Sequence, residues 1–192
     1  MSLPLEVVIL GLSITSSWNN GHAALYRGLV WELARRGHQV LFLERDLPGH
    51  ADRRDLPNLP GCRTELYRSL EELRDRFTAS VRNADLVLVG SGVPEGTAVG
   101  DWVLRTASGA AAFYDLDTPI TLAALARGGC PYLTPDQVPR YDAYFTVSGG
   151  AVPRLLESRL GSPMARPLRW FVDPEVCYPE EREIRWDLGF MG

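Results

Sequence analysis

The chain has 192 residues, a formal net charge of −4 and a sequence pI near 5.4. This acidic balance gives no electrostatic footprint for nucleic acid, no apolar run approaches the roughly 20 residues of a membrane span, and the first residues lack the basic start of a signal peptide. All 20 basic residues are Arg, which excludes any mechanism built on a Lys.

Three cysteines, Cys62, Cys130 and Cys177, stand far apart and show no paired spacing. An odd, scattered set favours reduced thiols in the cytoplasm over a disulfide framework. It also lacks the close pairs that a zinc site needs, so the cysteines predict no zinc site.

The opening stretch predicts a strand, a polar loop and a helix. Residues 7–12 are a short, almost wholly apolar run rich in β-branched side chains, which indicates a buried strand. Residues 13–20 are polar and hydroxyl-rich, and Asn20-Gly21 supplies turn chemistry where the helix would begin. Apolar residues on one face continue that helix to Gly37. Its amino end, with His22 beside it, suits an anionic or hydroxylated ligand.

The alternation of strand, loop and helix continues along the chain. Further strands are predicted at 39–43, 63–67, 85–90, 110–114 and 143–147, and further helices at 70–81, 98–107, 120–127 and in a segment that ends at Leu160. The proline-rich residues 47–62 predict an irregular surface excursion. This pattern predicts an α/β fold, a Rossmann-like doubly wound and mostly parallel sheet with helices on both faces.

The composition changes near the end of the sequence. Prolines are frequent from 163 to 179, a charged run follows at 180–183, and a partly apolar run closes the chain. We therefore expect a Rossmann-like domain over residues 1–178. Residues 179–192 are expected to be a linker and the start of a further domain.

Ligands of doubly wound sheets bind beyond the carboxyl ends of the strands. The loops at those ends are polar or glycine-rich in this chain, so a ligand can approach the backbone closely. The predicted ligand-binding residues are Ser13, Thr15, Ser16, Trp18, Asn20, Gly21, Ser91, Gly92, Asp115, Thr118, Ser148, Gly149 and Gly150. For Trp18, two roles stay open: stacking on a sugar face, or fixing its loop to the domain.

His22 also has two interpretations. It either makes a local hydrogen bond at the start of its helix, or it acts as a general base that a carboxylate from a later strand end orients. A positioned base of this kind contributes about 10²–10⁴-fold to a reaction rate.

Asp115 and Asp117 follow the strand predicted at 110–114 and leave three alternatives open. As a D-x-D pair they could hold a divalent metal, and as D-x-D-T they resemble the nucleophile and acid of haloacid-dehalogenase-type phosphotransferases. That family usually adds a downstream Lys, which this chain lacks. In the third alternative, Asp117 only caps the next helix or orders its loop. A dinucleotide site is not predicted, because Gly11 and Gly21 are too far apart for G-x-G-x-x-G, although Glu44 at the end of the second strand favours one.

The chain resembles the N-terminal half of bacterial two-domain GT-B glycosyltransferases, and within them the CgeB-like, spore-maturation-type group. The likeness runs in order through SITSSWNNGHA, RRGHQVLFLERD, ADLVLVGSGVPEG, FYDLDTPITLAAL, YDAYFTVSGG, ARPLRWFVDP and WDLGFMG. The resemblance implies a metal-independent enzyme that transfers a sugar to a hydroxyl or amine acceptor, with this domain on the acceptor side.

The same resemblance implies roles for individual residues and for a missing partner. His22 matches the base that deprotonates the acceptor, and Asp117, less directly Asp115, matches its supporting carboxylate. The nucleotide-sugar donor would be bound by a C-terminal domain beyond residue 192, so this domain alone would bind no cofactor and would be inactive. Two other functions stay open: a non-catalytic binding module of the same fold, and a phosphotransferase or phosphatase that uses Asp115 and Asp117.

Overall fold

Seven parallel strands form one sheet in the computed structural model, which describes residues 3–171, 178–183 and 185–188. The strands are β1 (Glu6–Gly11), β2 (Gln39–Arg45), β3 (Cys62–Tyr67), β4 (Leu86–Gly90), β5 (Ala110–Asp115), β6 (Ala143–Thr146) and β7 (Ala165–Pro167). Their order in the sheet is β3-β2-β1-β4-β5-β6-β7. The predicted α/β, Rossmann-like fold is confirmed.

Six α-helices connect the strands. They are α1 (His22–Arg35), α2 (Pro48–Ala51), α3 (Leu70–Asn83), α4 (Gly96–Thr106), α5 (Thr118–Ala126) and α6 (Val152–Leu160), and a 3-10 turn covers Val138–Arg140. None of these helices is long and apolar enough to cross a bilayer within the residues that the structure describes.

Different helices cover the two faces of the sheet. Side chains alternate across a strand, so Val8 and Leu10 of β1 join the core that contains α3, α4, α5 and α6. Their neighbours Val7 and Ile9 join the core that contains α1. A strand buried on both faces must be apolar at nearly every position, as β1 is.

Three local features differ from the sequence predictions. The edge strand β7 was not predicted, because three residues that include Pro167 give no periodic signal. A proline, which has no backbone N–H, fits there because one side of an edge strand makes no hydrogen bonds to another strand. The predicted excursion at 47–62 contains the short helix α2. Helix α5 begins at Thr118 with Asp117 at its N-cap, two residues before the predicted start at 120.

The strand order reverses between β1 and β4. In doubly wound sheets this switch point opens a crevice at the carboxyl ends of the strands, where ligands bind. Here the two strands end at Gly11 and Gly90. In the tail, residues 185–188 form no strand. Residues 189–192, which were expected to belong to the start of a further domain, and Cys177 lie outside the described residues.

Candidate active site

His22 and Asp117 meet beside this switch point. His22 is the first residue of α1, and its Nε2 lies 2.9 Å from Oδ2 of Asp117, which precedes α5. The two side chains are 13% and 29% exposed, respectively. Asn20 fixes the start of α1, because its Oδ1 accepts the His22 backbone N–H at 2.9 Å. The structure thus brings together the two residues that the sequence singled out as base and carboxylate.

Ser91, in the loop after β4, holds the Asp117 carboxylate from another side. Its hydroxyl donates to Asp117 Oδ2 at 3.0 Å and accepts the Leu116 N–H at 3.0 Å. The hydrogen bond from His22 is the main cause that lowers the pKa of Asp117, and the bond from Ser91 adds to it. Asp117 is therefore an ionised hydrogen-bond acceptor for the imidazole at neutral pH.

The two ring nitrogens of His22 have different surroundings. Because Nε2 faces a carboxylate, we assign a proton to Nε2; in the neutral tautomer that this gives, Nδ1 is the nitrogen without a proton. Nδ1 is buried and has no hydrogen-bond partner. Gly92 lies next to the ring, since a Cβ at that position would be 3.4 Å from His22 Cε1.

Asp115 points away from this pair. It is fully buried, and its oxygens accept the Tyr144 hydroxyl at 2.6 Å and the Thr121 hydroxyl at 2.7 Å. Burial raises its pKa, against these hydrogen bonds. A carboxyl group enclosed in this way cannot attack a phosphoryl group, so the phosphotransferase hypothesis is not supported by this geometry.

Thr118 is also buried, which corrects its prediction as a ligand-binding residue. Its hydroxyl donates to the Asp115 carbonyl at 3.1 Å and lies 2.7 Å from the Thr146 hydroxyl. It connects the ends of β5 and β6 and does not face the cleft.

Glu44, at the end of β2, anchors the first loop. Its carboxylate accepts the backbone N–H groups of Ile14 at 2.7 Å and Thr15 at 3.0 Å, and the hydroxyls of Thr15 at 2.7 Å and Ser13 at 3.1 Å. Glu44 itself is fully buried. From the sequence, Glu44 was interpreted only as a feature that favours a dinucleotide site, although the nearby hydroxyl-rich loop offered the donors that a buried carboxylate needs.

The first loop therefore uses its hydroxyls internally, which corrects three more predictions. Ser13, Thr15 and Ser16 are buried, and the Ser16 hydroxyl donates to the Arg53 carbonyl at 2.8 Å. None of the three hydroxyls is open to a ligand. Their role is to set the course of the loop towards His22.

Trp18 and Gly21 lie on the exposed part of this loop. The Trp18 ring is half exposed, and the Arg53 guanidinium stacks on it 3.6 Å from the ring centre. This stacking favours the role in which Trp18 fixes its loop to the domain. Both ends of the Asn20 side-chain amide bind the backbone: Nδ2 donates to the Ser16 carbonyl, and Oδ1 accepts the His22 N–H.

The loop after β6 supplies the remaining predicted residues, next to the strand that leads to Asp117. Ser148 donates its N–H to the Thr146 hydroxyl at 3.0 Å. A Cβ at Gly149 would lie 2.8 Å from a guanidinium nitrogen of Arg169, and Gly150 has a positive φ of 61°. Gly149 thus lets the Arg169 guanidinium lie against the backbone of this loop, and the positive φ of Gly150 favours glycine at that position.

Tyr26 is a further residue of this site, and sequence reasoning missed it. It is fully buried one turn after His22, and its ring packs edge-on against His22 at 6.4 Å between ring centres. A Cβ at Gly90 would lie on the hydroxyl, and one at Gly11 would lie 2.4 Å from Cζ of Phe42 and 2.8 Å from the Tyr26 ring. Two glycines at the ends of adjacent strands were the available signal, because they leave room for large aromatic side chains.

Among the described residues, neither a group of metal ligands nor the cavity described next adds residues to this site. Within the described ranges, no three His, Cys, Asp or Glu side chains group closely enough to hold a metal ion. A cavity of about 390 Å³ lies at the opposite, amino ends of β1 and β2, where Glu6 and Gln39 line it.

No protein-family model and no curated protein matches the sequence. Among solved structures, the chain is similar to the C-terminal domain of the coenzyme A biosynthesis bifunctional protein CoaBC, with 11% sequence identity over 66% of this chain and 71% of that one. The TM-score is 0.37, so this likeness carries no argument about function.

The comparisons give no support to the predicted function. The similar solved structure is a CoaBC domain and not a glycosyltransferase, and the prediction of an acceptor-binding glycosyltransferase half is not kept. The resemblance to the CgeB-like group and the expected nucleotide-sugar donor stay predictions that no comparison tests.

Proposed function

We propose that this chain is the base-bearing domain of an enzyme in which His22 removes a proton from a polar X–H group of a small molecule. The observation that carries the proposal is the asymmetry of the His22 ring. One nitrogen is bound to an ionised carboxylate, and the other is buried without a partner. A buried acceptor left without a hydrogen bond costs about 1–3 kcal/mol, and a bound X–H group would recover that cost.

The surrounding residues have separable roles in this proposal. Asp117 holds the tautomer with the proton on Nε2 and stabilises the imidazolium that forms when Nδ1 takes the substrate proton. Ser91 and Asn20 position this pair through the hydrogen bonds described above. Gly92 packs closely against the edge of the ring, because a Cβ at that position would already be 3.4 Å from Cε1.

A substrate screen tests the proposal without assuming a substrate. Wild-type protein and the His22→Gln variant are incubated with the same small-molecule extract, and products are compared by mass spectrometry. We expect products that form at least 100-fold more slowly with the variant, the minimum contribution of a positioned base. His38→Gln is the matched control, because His38 accepts the Leu5 N–H at the amino end of the sheet, away from the site.

Nitrogen NMR gives a second readout that is independent of turnover. We expect His22 to carry its proton on Nε2 in the wild type, and Asp117→Asn to change the balance between the two tautomers. Equal product formation by wild type and His22→Gln would refute the role of the base. A proton on Nδ1 of His22 in the wild type would refute the assignment of the base atom.

A further inference from the structure

A groove between α5 and α6 exposes apolar side chains. Leu122 and Leu125 of α5 and Leu155 and Leu160 of α6 line a space of about 740 Å³. Leu155 is 41% exposed. Leu122 and Leu160 are half-buried and Leu125 belongs to the core beneath them, so the groove is an apolar recess beside Leu155. Clustered apolar surface marks an interaction site more often than isolated exposed leucines do.

The groove also carries positive charge. Arg154 and Arg159 of α6 line it, and none of its lining residues is a carboxylate. Glu157, the one carboxylate of α6, is instead bound to the Ala165 N–H at 2.9 Å and to Arg166 at 3.0 Å. The groove therefore suits an occupant that combines apolar and acidic side chains.

Residues 178–188 of this chain have that chemistry. Trp186 and Leu188 are 82% and 89% exposed, so they cover almost nothing in the structure. The same segment carries four acidic side chains, Glu180, Glu181, Glu183 and Asp187, against the two arginines Arg182 and Arg185, so it is net negative. The tail therefore presents apolar side chains that match the leucines of the groove and a net negative charge that matches its arginines.

A second copy is the more direct source of this segment. Phe171, the last described residue before it, lies against α1, where a Cβ at Gly28 would be 3.0 Å from the Phe171 ring. Helix α1 covers one face of the sheet, whereas α5 and α6 cover the other. The segment would have to pass around the sheet to reach its own groove, but not to reach that of a neighbouring molecule.

We propose that residues 178–188 of one copy dock into the α5–α6 groove of a second copy. Trp186 and Leu188 enter between the leucines, and the acidic residues pair with Arg154 and Arg159. A reciprocal exchange of two segments gives a closed two-fold dimer, in which each copy supplies the same groove and the same tail.

Sedimentation velocity on the 192-residue protein tests this proposal. We expect the average mass to rise from that of the 21.3 kDa chain towards twice that mass as protein concentration increases. Trp186→Ala combined with Leu188→Ala should weaken the association at least 10-fold. Arg154→Glu combined with Arg159→Glu should do the same, and additional Glu181→Arg and Glu183→Arg changes should restore part of it.

The matched control makes the same change in net charge on another helix. Arg74→Glu with Arg82→Glu alters exposed residues of α3 and should leave the dimer unaffected. A protein that stays monomeric at all concentrations would overturn the proposal. So would a dimer that the groove and tail variants leave unchanged, or a monomer in which Trp186 is protected from solvent by its own groove.

Discussion

Tyr26 fits across the end of β4 only because residue 90 is a glycine. A Cβ added to Gly90 would lie 1.7 Å from the Tyr26 hydroxyl oxygen but 3.1 Å from Cζ of the ring. Gly90→Ala should therefore destabilise the protein by about 1–3 kcal/mol, the usual cost of overpacking a core. The Tyr26 hydroxyl is buried without a partner, so Tyr26→Phe alone should be neutral or stabilising.

The two changes together should be less harmful than their sum. Without the hydroxyl, the nearest Tyr26 atom to the new methyl group is at 3.1 Å, a distance that a small shift relieves. We expect a favourable coupling free energy of about 1–2 kcal/mol between the two sites. Urea unfolding of the four proteins, followed by circular dichroism, measures this coupling as the difference between observed and summed losses.

A control glycine separates packing from backbone effects. Gly129 has no atom within 4 Å of an added Cβ, and neither Gly129 nor Gly90 needs a positive φ. Gly129→Ala should therefore leave stability nearly unchanged with either residue at position 26. If Gly90→Ala and Tyr26→Phe proved additive within about 0.5 kcal/mol, the packing argument would be refuted.

Three further predictions concern the buried and partly buried carboxyl groups. Glu44→Gln should lower the free energy of unfolding by about 1.5–3 kcal/mol, because it removes a charged acceptor from four hydrogen bonds; unchanged urea midpoints would contradict this. The pKa of Asp117 is lowered in the fold, so its stabilising contribution is full above the unfolded-state pKa of about 3.9 and is lost as pH falls through the folded-state value. The stability deficit of Asp117→Asn should accordingly stay nearly constant down to about pH 5 and shrink on further acidification, measured by urea unfolding. The pKa of Asp115 is raised, which gives the opposite sign: wild type should lose stability relative to Asp115→Asn as pH rises above about 4.

The sequence predicted the fold because local patterns and topology agree. β1 and β4 are almost continuous apolar runs, as strands buried on both faces must be, and the amphipathic residues of α3 repeat at helical spacing. The pairing of His22 with the carboxylate that follows β5 could also be predicted from the sequence, because both residues follow strands whose carboxyl ends share one edge of the sheet.

The direction in which each side chain points could not be predicted from the sequence in the same way. Asp115 and Asp117 are two residues apart, yet one is enclosed by Tyr144 and Thr121 and the other reaches His22. The difference arises where β5 ends, and the residues that enclose Asp115 come from later parts of the chain. For the same reason, the sequence did not show that the hydroxyls of Ser13 and Thr15 bind Glu44, 31 and 29 residues away.

The carboxylate of Glu44 has a consequence for which molecules this domain can accept. The backbone amides after the first strand of such a sheet commonly receive a phosphate group from outside the protein. Here the Ile14 and Thr15 amides already donate to the Glu44 carboxylate. An incoming diphosphate would therefore find no free amide there and would be repelled by the negative charge of Glu44. A negatively charged molecule entering this domain must find its counter-charge farther along the rim, beyond the first turn of the chain.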